Sequence, residues 1–223
     1  MSNQSAELIW RDGTIPVSTR FDDPYFSLEN GLNETRHVFL DGNDLPARFA
    51  EGFHIAELGF GSGLNLLAAW QTWEAAGIDT PLRFTSFEAF PMSATEMCRA
   101  HEAFPELAPF AARLSAAWEE DPTLVTLDGI EARVILGDAR ETLAQQDWQA
   151  DAWFLDGFSP AKNPELWDAD LMQSVGDHTK TGGTCATYTA AGFVRRGLED
   201  AGFAVERIPG FGRKRHMTVG VKG

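Results

Sequence analysis

Four acidic residues stand at or near the ends of short apolar stretches, at a spacing that could gather their carboxylates in one site. Glu57 precedes a glycine-rich turn, Glu88 closes a second stretch, Asp138 follows a third, and Asp156 follows the run AWFL. Carboxylates accept hydrogen bonds from hydroxyl and ammonium groups, and one beside an amine can take its proton. The pattern therefore predicts a ligand with positive charge and hydroxyl groups, and it would serve a pyrophosphate badly.

The glycine-rich turn ELGFGSGLN spans residues 57–65 and leads into a helical pattern. Glycine permits a tight turn against which a ligand can lie, and the start of a helix offers free N–H groups. The spacing here is GxGxG, whereas the dinucleotide fingerprint is GxGxxG. The predicted ligand-binding residues are Glu57, Gly59, Phe60, Gly61, Gly63, Asn65, Glu88, Asp138 and Ala139.

S-adenosylmethionine matches this set, because it carries a sulfonium, an ammonium, two ribose hydroxyls and an adenine amine. On this hypothesis Glu57 faces the amino-acid end, Glu88 accepts from both ribose hydroxyls, and Asp138 accepts from the adenine amine. Any single acid could instead be a solvated strand end or a helix cap. Four acids in register behind GxGxG favour the cofactor site.

Asp156 is the predicted catalytic residue. The apolar stretch before it should fix it at the end of a strand, and Gly157 lets the backbone turn away. If the acceptor of the methyl group is an amine, Asp156 can take its hydrogen bond or its proton. Asn163 and Pro164 predict the cap and first position of the next helix.

The loop after Asp156 is predicted to contact the substrate. Phe158 could stack on a planar base, and Pro160 could do so from another side. The alternative for Phe158 is a ring that faces the core. Lys162 is a further candidate in the same loop.

The positive charges are concentrated near the carboxyl end of the sequence, and this changes what the net charge implies about partners. The formal charge of −15 argues against a nucleic-acid partner, since phosphate contacts need Lys and Arg. Residues 192–223, however, hold seven Lys and Arg against three acids and are net +4. We expect these cations to form a lip on the site for an anionic substrate, although a solvated basic turn is the alternative. The residues predicted to form this lip are Arg195, Arg196, Arg213, Lys214 and Arg215.

The sequence alternates between apolar runs and helical patterns, and this alternation predicts the fold that positions the site. It predicts an α/β, Rossmann-like fold with a mostly parallel, seven-stranded sheet and a ligand crevice at the carboxyl ends of the strands. PGFGRKR is too short for a crossover, so the last two strands should form an antiparallel hairpin, which is the methyltransferase variant of this fold. Predicted strands span 53–58, 82–88, 132–137, 151–156, 183–188, 203–208 and 216–221.

The remaining segments complete the predicted organisation. Residues 1–51 should be an extension packed on the core, with a β-hairpin near its start, and residues 52–223 the methyltransferase domain, together one structural unit. Residues 102–130 are predicted to be an inserted helical segment. Within these ranges, Trp70 and Trp73 share one helix face that ends at Gly77.

Several classes are disfavoured by what the sequence lacks. Its two cysteines have no CxxC spacing, and its five histidines have no HxxxH or HxH spacing, so no metal site is expected. No run approaches the roughly 18 apolar residues of a membrane span, and the start has no leader pattern. We therefore expect a cytoplasmic protein without a membrane partner.

Seven motifs are similar to those of a known family: FDDPYFS, GLNETRHVF, ELGFGSGLN, FEAFP, DAWFLDGFSPAKNPELW, AGFVRRGLEDAGF and GFGRKRHM. From about Phe21 to Gly220 the chain resembles the methyltransferase domain of the bifunctional tRNA-modification enzymes of the MnmC family. The resemblance implies S-adenosylmethionine-dependent N-methylation of 5-aminomethyl-(2-thio)uridine at the tRNA wobble position, giving the 5-methylaminomethyl form. It also implies that Asp156 is catalytic.

The family's bifunctional members continue into a flavin-dependent oxidase domain that makes the amine. This chain has no second dinucleotide fingerprint, so we expect a stand-alone methyltransferase or one domain of a longer protein, with a separate oxidase as a possible partner. Residues 21–40 resemble the family, but no roles are assigned there; Phe26, Asn30 and Gly31 are candidates to approach the pocket.

Three alternatives stay open. One is a class I methyltransferase that acts on a small-molecule or protein amine. Another is an NAD-dependent oxidoreductase, which the glycine spacing and the pair Asp138 and Asp156 disfavour. The last is a non-catalytic RNA-binding module, which the retained Asp156 disfavours.

Overall fold

The structure is a computed structural model and describes residues 5–27 and 30–223. Strands and helices alternate along most of the chain from residue 54 onward. The strands are β1 (Leu8–Arg11), β2 (Ile15–Ser18), β3 (Asp23–Pro24), β4 (His54–Leu58), β5 (Leu82–Glu88), β6 (Leu124–Leu127), β7 (Ile130–Leu136), β8 (Ala150–Leu155), β9 (Thr179–Thr187), β10 (Phe203–Pro209) and β11 (His216–Lys222). The helices are α1 (Gly31–Thr35), α2 (Leu64–Ala76), α3 (Ala94–His101), α4 (Ala108–Glu120), α5 (Ala139–Thr142), α6 (Ala169–Asp177) and α7 (Gly192–Asp200). Short 3-10 or π-helical turns lie at 36–40, 41–43, 105–107, 143–145 and 164–167.

The central sheet confirms the predicted fold class. Its order is β10-β11-β9-β8-β4-β5-β7-β6. The five strands from β9 to β7 in this order run parallel, while β11 is antiparallel to both β9 and β10. Strands β10 and β11 form the predicted closing hairpin, so the loop between them lies at the carboxyl edge of the parallel strands.

The register of the parallel strands brings their carboxyl ends together. Leu58 of β4 pairs with Phe87 of β5 on one side and with Leu155 of β8 on the other. Glu88, at the end of β5, pairs with Leu136 of β7. The residues that follow β4, β7 and β8 therefore lie along one edge of the sheet, as the sequence predicted.

Apolar packing on both faces of the sheet holds this edge in place. Helix α2 buries Trp70 and Trp73 completely on one face and ends at Gly77 in the left-handed conformation, as predicted. On the other face, Trp153 and Trp167 are also almost fully buried. Burying one Leu or Phe side chain stabilises a fold by roughly 1.5–3 kcal/mol relative to leaving it exposed, and Trp is larger than either.

One part of the expected organisation is wrong, because the segment 102–130 is not helical throughout. Helix α4 ends at Glu120, and β6 then pairs antiparallel with β7 at the edge of the sheet, which has eight strands among the described residues instead of seven. Gly129 adopts φ +85° in the turn between β6 and β7. The dipeptide Asp128-Gly129 between two apolar stretches is the hairpin signal that would have revealed this strand.

The helix start predicted at Asn163 and Pro164 is also wrong. Pro164 opens only a 3-10 turn, and Asn163 makes no side-chain capping bond. Helix α6 begins at Ala169, where the side chain of Asp168 accepts a hydrogen bond from the N–H of Leu171 at 2.8 Å. Asp168 satisfies a free N–H of the first helical turn, which is why the helix starts there.

The segment before β4, residues 5–27 and 30–53, is tied to the sheet by polar contacts at two places. The Arg48 guanidinium donates to the carbonyl oxygen of Asp151, near the start of β8, at 3.0 Å. The N–H of Ser159, in the loop after β8, donates to Asp23 at 3.0 Å. The contact of Asp23 therefore lies at the carboxyl edge of the sheet, whereas that of Arg48 lies near the amino end of β8.

No helix among residues 5–27 and 30–223 is long and apolar enough to cross a membrane.

Candidate active site

A cavity of about 1190 Å³ opens at the carboxyl edge of the parallel strands. Its walls come from the turn after β4, the ends of β5, β7 and β8, helix α1 and residues 20–27. The predicted residues that line it are Gly59, Phe60, Gly61, Asn65, Glu88, Asp138, Ala139, Asp156, Phe158, Lys162 and Lys214.

The glycine turn depends on backbone conformations and close contacts that only glycine fits well. Gly59 has φ +79°, and a Cβ there would lie 3.0 Å from Cα of Gly157. Gly61 has φ +57°, and a Cβ there would lie 3.1 Å from the ring of Tyr25. Gly59 thus allows the loop after β8 to pack on the turn. Gly63, the cap of α2, does not line the cavity and packs under Phe60 and Leu114.

Glu88 is fixed in the cavity wall by backbone donors. One carboxylate oxygen accepts from the N–H of Gly61 at 2.8 Å, and the other accepts from the N–H of Phe90 at 2.7 Å. Burial raises the pKa of Glu88, and these hydrogen bonds oppose the rise. The carboxylate is an acceptor held against the glycine turn, which is what a ligand's hydroxyl groups require.

Asp156 lies directly after β8 and is held by two donors. Its Oδ1 accepts from the N–H of Gly157 at 2.8 Å, and its Oδ2 accepts from Nδ2 of Asn65 at 2.8 Å. Burial raises the pKa of Asp156 to about 6, and both hydrogen bonds act against that rise. A carboxylate with a pKa near this value can accept a proton at neutral pH and can also release it again.

Glu57 was predicted to face the amino-acid end of the ligand, and the structure places it behind the cavity wall instead. It is 0 % exposed and does not line the cavity. Its oxygens accept from Ser86 Oγ at 2.6 Å and from Asn65 Nδ2 at 2.9 Å. Burial raises the pKa of Glu57 well above its usual value, with these two bonds acting against the rise. The buried position within β4 directs the side chain to Asn65, and Asn65 is what reaches the cavity.

Asp138 lines the cavity, but its carboxylate is already engaged. It caps α5 by accepting from the N–H of Arg140 at 2.9 Å, and it pairs with the Arg140 guanidinium at 2.5 Å. The hydrogen bonds from Arg140 are the main reason that the pKa of Asp138 is lowered. Ala139 follows it in the cavity wall. The predicted contact of Asp138 with an adenine amine stays a prediction.

The loop after Asp156 is less open to a substrate than predicted. Phe158 lines the cavity, but its ring stacks on Phe21, with centroids 4.6 Å apart. Lys162 lines the cavity as well, and its ammonium contacts Asp22 and, at 3.5 Å, Asp23. Pro160 does not line the cavity, because the loop turns it away.

Of the predicted cationic lip, Lys214 alone reaches the cavity wall. Its ammonium lies 2.7 Å from a Glu34 oxygen and 4.2 Å from the centre of the Tyr188 ring. The other four do not line the cavity. Arg195 and Arg196 follow buried Val194 on α7, so they lie on other faces of that helix, and Arg213 and Arg215 are exposed beside Lys214.

The segment before β4 contributes several cavity residues that the sequence did not indicate. Glu34 and Thr35 of α1 line the cavity, and so do Tyr25 and Phe21. Thr35 Oγ1 donates to Oδ1 of Asn65 at 2.9 Å. These residues carry no spacing pattern of their own; the motifs FDDPYFS and GLNETRHVF were the only signals, and they indicated the family without indicating contacts. Of the earlier candidates there, Phe26 and Gly31 line the cavity, whereas Asn30 does not.

Nothing in the described part of the chain, residues 5–27 and 30–223, groups three or more His, Cys, Asp or Glu side chains as a metal site would.

Comparisons with known proteins agree on one family. A profile of a family described as S-adenosyl-L-methionine-dependent methyltransferase matches residues 102–223. The tRNA 5-methylaminomethyl-2-thiouridine biosynthesis bifunctional protein MnmC of Vibrio cholerae serotype O1 (strain M66-2) is 47 % identical over 96 % of this chain. The protein of the same name from Hahella chejuensis is 46 % identical over 97 %. The chain spans only 35 % and 36 % of these relatives' own lengths.

A solved structure shows the same arrangement. The crystal structure of MNMC2 from Aquifex aeolicus matches with a TM-score of 0.76 and 28 % sequence identity. The match covers 98 % of this chain and 71 % of that one.

Proposed function

The chain belongs to the S-adenosyl-L-methionine-dependent methyltransferase family, and we propose that it methylates the primary amine of 5-aminomethyl-(2-thio)uridine at the wobble position of tRNA. The product is the 5-methylaminomethyl form. The observation that carries the proposal is Asp156, a carboxylate whose pKa is about 6 and which is held at the cavity wall by Asn65 and Gly157. The names of the relatives from Vibrio cholerae and Hahella chejuensis support the choice of substrate.

The cavity fits the cofactor of this family. Glu88 offers acceptors for hydroxyl groups beside the glycine turn, and Asp156 adds negative charge for a cationic ligand. Gly59 and Gly61 form the turn with left-handed backbone conformations, and both line the cavity, so a ligand there can lie against the turn. Residues that would hold S-adenosylmethionine are Gly59, Phe60, Gly61, Asn65, Glu88, Asp138 and Ala139.

Asp156 performs the proton transfer in the proposed reaction. Bound S-adenosylmethionine would supply a methyl group on a cationic sulfur, and the sulfur would keep the electron pair of the broken carbon–sulfur bond. Asp156 accepts a hydrogen bond from the substrate amine, and the proton that the nitrogen loses as the nitrogen–carbon bond forms passes to its carboxylate. Asn65 and Gly157 fix the direction of that acceptor, and alignment of this kind supplies much of the rate.

In this proposal, the step that makes the amine is carried out by another domain or another protein. The relatives are named as bifunctional, and they extend well beyond the part that this chain matches. A separate flavin-dependent oxidase domain or protein would supply the amine from a carboxymethylaminomethyl precursor. The tRNA substrate would place the reaction in the cytoplasm.

Methyl transfer from tritium-labelled S-adenosylmethionine tests the proposal. The protein is incubated with tRNA that carries the 5-aminomethyl group, with the same tRNA lacking it, and with a free amine; the tRNA is then digested to nucleosides. We expect label only in the 5-methylaminomethyl nucleoside. Absence of label on the amine-bearing tRNA, or equal labelling of the free amine, would overturn the proposed substrate.

A further inference from the structure

We infer that Asn65 and Thr35 are positioning residues for Asp156: the amide of Asn65, oriented by the hydroxyl of Thr35, holds one oxygen of Asp156 so that its free lone pairs face the cavity. The inference rests on the proposed function for the role of Asp156 as the proton acceptor. It assigns Asn65 a role beyond the predicted contact with the cofactor.

The amide of Asn65 is shared between two carboxylates. Its Nδ2 donates to Oδ2 of Asp156 at 2.8 Å and to Oε1 of Glu57 at 2.9 Å. An amide nitrogen has two hydrogens, so both are used. Without this amide, Asp156 and Glu57 would lose the donor that they share. Asn65 therefore links the buried Glu57 to the cavity wall.

Thr35 stabilises the orientation of the amide that Asp156 requires. If the amide were flipped, its oxygen would lie against the Asp156 oxygen that now accepts from it, so Asp156 favours the observed orientation. In that orientation Oδ1 of Asn65 accepts from the Thr35 hydroxyl at 2.9 Å, and this bond anchors the amide. Thr35 is 4 % exposed, so little solvent reaches the bond.

The electrostatic consequence can be measured. Burial raises the pKa of Asp156, and the bond from Asn65 acts in the opposite direction. The other groups that act on Asp156 are the N–H of Gly157 and Lys214, which lower its pKa, and Glu34, which raises it. Loosening the Asn65 amide while leaving these groups in place should raise the pKa further.

Matched variants at Thr35 isolate the hydroxyl group. Thr35→Val keeps the shape and removes the donor, whereas Thr35→Ser keeps the donor. The carboxyl ¹³C signal of Asp156 is titrated in the protein alone, and the pH dependence of kcat/KM is measured with 5-aminomethyl tRNA. Asn65→Ala, which removes the amide altogether, serves as a second variant if Thr35→Val folds poorly.

We expect the pKa of Asp156 to rise in Thr35→Val and Asn65→Ala but to stay near the wild-type value in Thr35→Ser. We expect kcat at pH 7 to fall about 3- to 10-fold in Thr35→Val and about 10- to 100-fold in Asn65→Ala. An unchanged titration of Asp156 in all three variants overturns the inference, and so does a raised pKa with unchanged kcat. The titration needs no substrate, so failure of the wild type to methylate this tRNA would count against the proposed function and would leave the test of positioning intact.

Discussion

At the scale of single residues, Asp156 is the group on which the proposed chemistry depends. Asp156→Asn keeps the size of the side chain but removes its ability to take a proton. We expect kcat for methylation of 5-aminomethyl tRNA to fall at least about 100-fold, which is the usual contribution of a positioned base. Calorimetry should show that S-adenosylmethionine still binds. Activity within a few-fold of wild type would show that Asp156 is not the proton acceptor.

The pH dependence follows from the same residue. Burial raises the pKa of Asp156 to about 6, so the carboxylate loses its function as an acceptor when the pH falls below that value. If the substrate binds as an ammonium ion, kcat/KM should fall about tenfold per pH unit below about pH 6 and level off above it. A profile measured from pH 4.5 to 8 that shows no change of slope near 6 would contradict the assignment.

The sequence predicted the position of Asp156 and Glu88 because both stand where a buried strand ends, and parallel strands end at one edge of a sheet. The predicted position of Glu57 is wrong, because a residue inside a strand can face either side of the sheet. The hydrogen bond between Glu57 and Asn65 is apparent only in the structure. The bonds of Lys162 and Lys214 to acids of the segment before β4 could not be predicted, since nothing local marks a contact between such distant segments.

At the scale of elements, the contact between the glycine turn and the loop after β8 should control the site. Gly59→Ala would place a Cβ 3.0 Å from the backbone of Gly157 at φ +79°. Gly52→Ala is the matched control, because Gly52 has φ +72° and no neighbour within 4 Å.

Both substitutions should cost about 1 kcal/mol or more of the free energy of unfolding through the left-handed backbone. Only Gly59→Ala should also cost a further ~1–3 kcal/mol from overpacking and lower kcat by about 10-fold or more. Urea unfolding and initial rates compare the two. Equal losses of activity in both variants would show that the contact with Gly157 has no part in catalysis.

The sequence predicts helices and strands correctly where the apolar periodicity is strong. It predicts them poorly where a turn or a capping residue sets the boundary of the element. The apolar runs predict the parallel strands and α2, whereas β6 lies in a segment predicted to be helical, because only the turn Asp128-Gly129 marks it as part of a hairpin. The start of α6 was misplaced, because Pro164 begins a 3-10 turn and the capping side chain is that of Asp168.

At the scale of the whole molecule, the loop between β10 and β11, residues 210–215, is basic, although the protein as a whole has a net charge of −15. Arg213 and Arg215 flank Lys214 there, outside the cavity wall. We propose that they contact phosphates of the bound tRNA. The double variant Arg213→Ala/Arg215→Ala should lower kcat/KM for tRNA roughly 10-fold at low salt and reduce its salt dependence.

A control with the same change of charge is Arg83→Ala/Arg133→Ala, which removes two exposed arginines from β5 and β7. We expect this control to retain near wild-type kcat/KM and salt dependence. Equal effects of the two double variants would show that net charge alone governs tRNA binding, and no effect of either would remove the loop from the substrate interface.

A crystal structure of this protein with bound S-adenosylmethionine would show where the methyl group lies relative to Asp156. We expect the cofactor on the turn at Gly59 and Gly61, with its ribose hydroxyls at Glu88 and its methyl group directed toward Asp156. A cofactor bound elsewhere, or a methyl group directed away from Asp156, would refute the proposed role of Asp156.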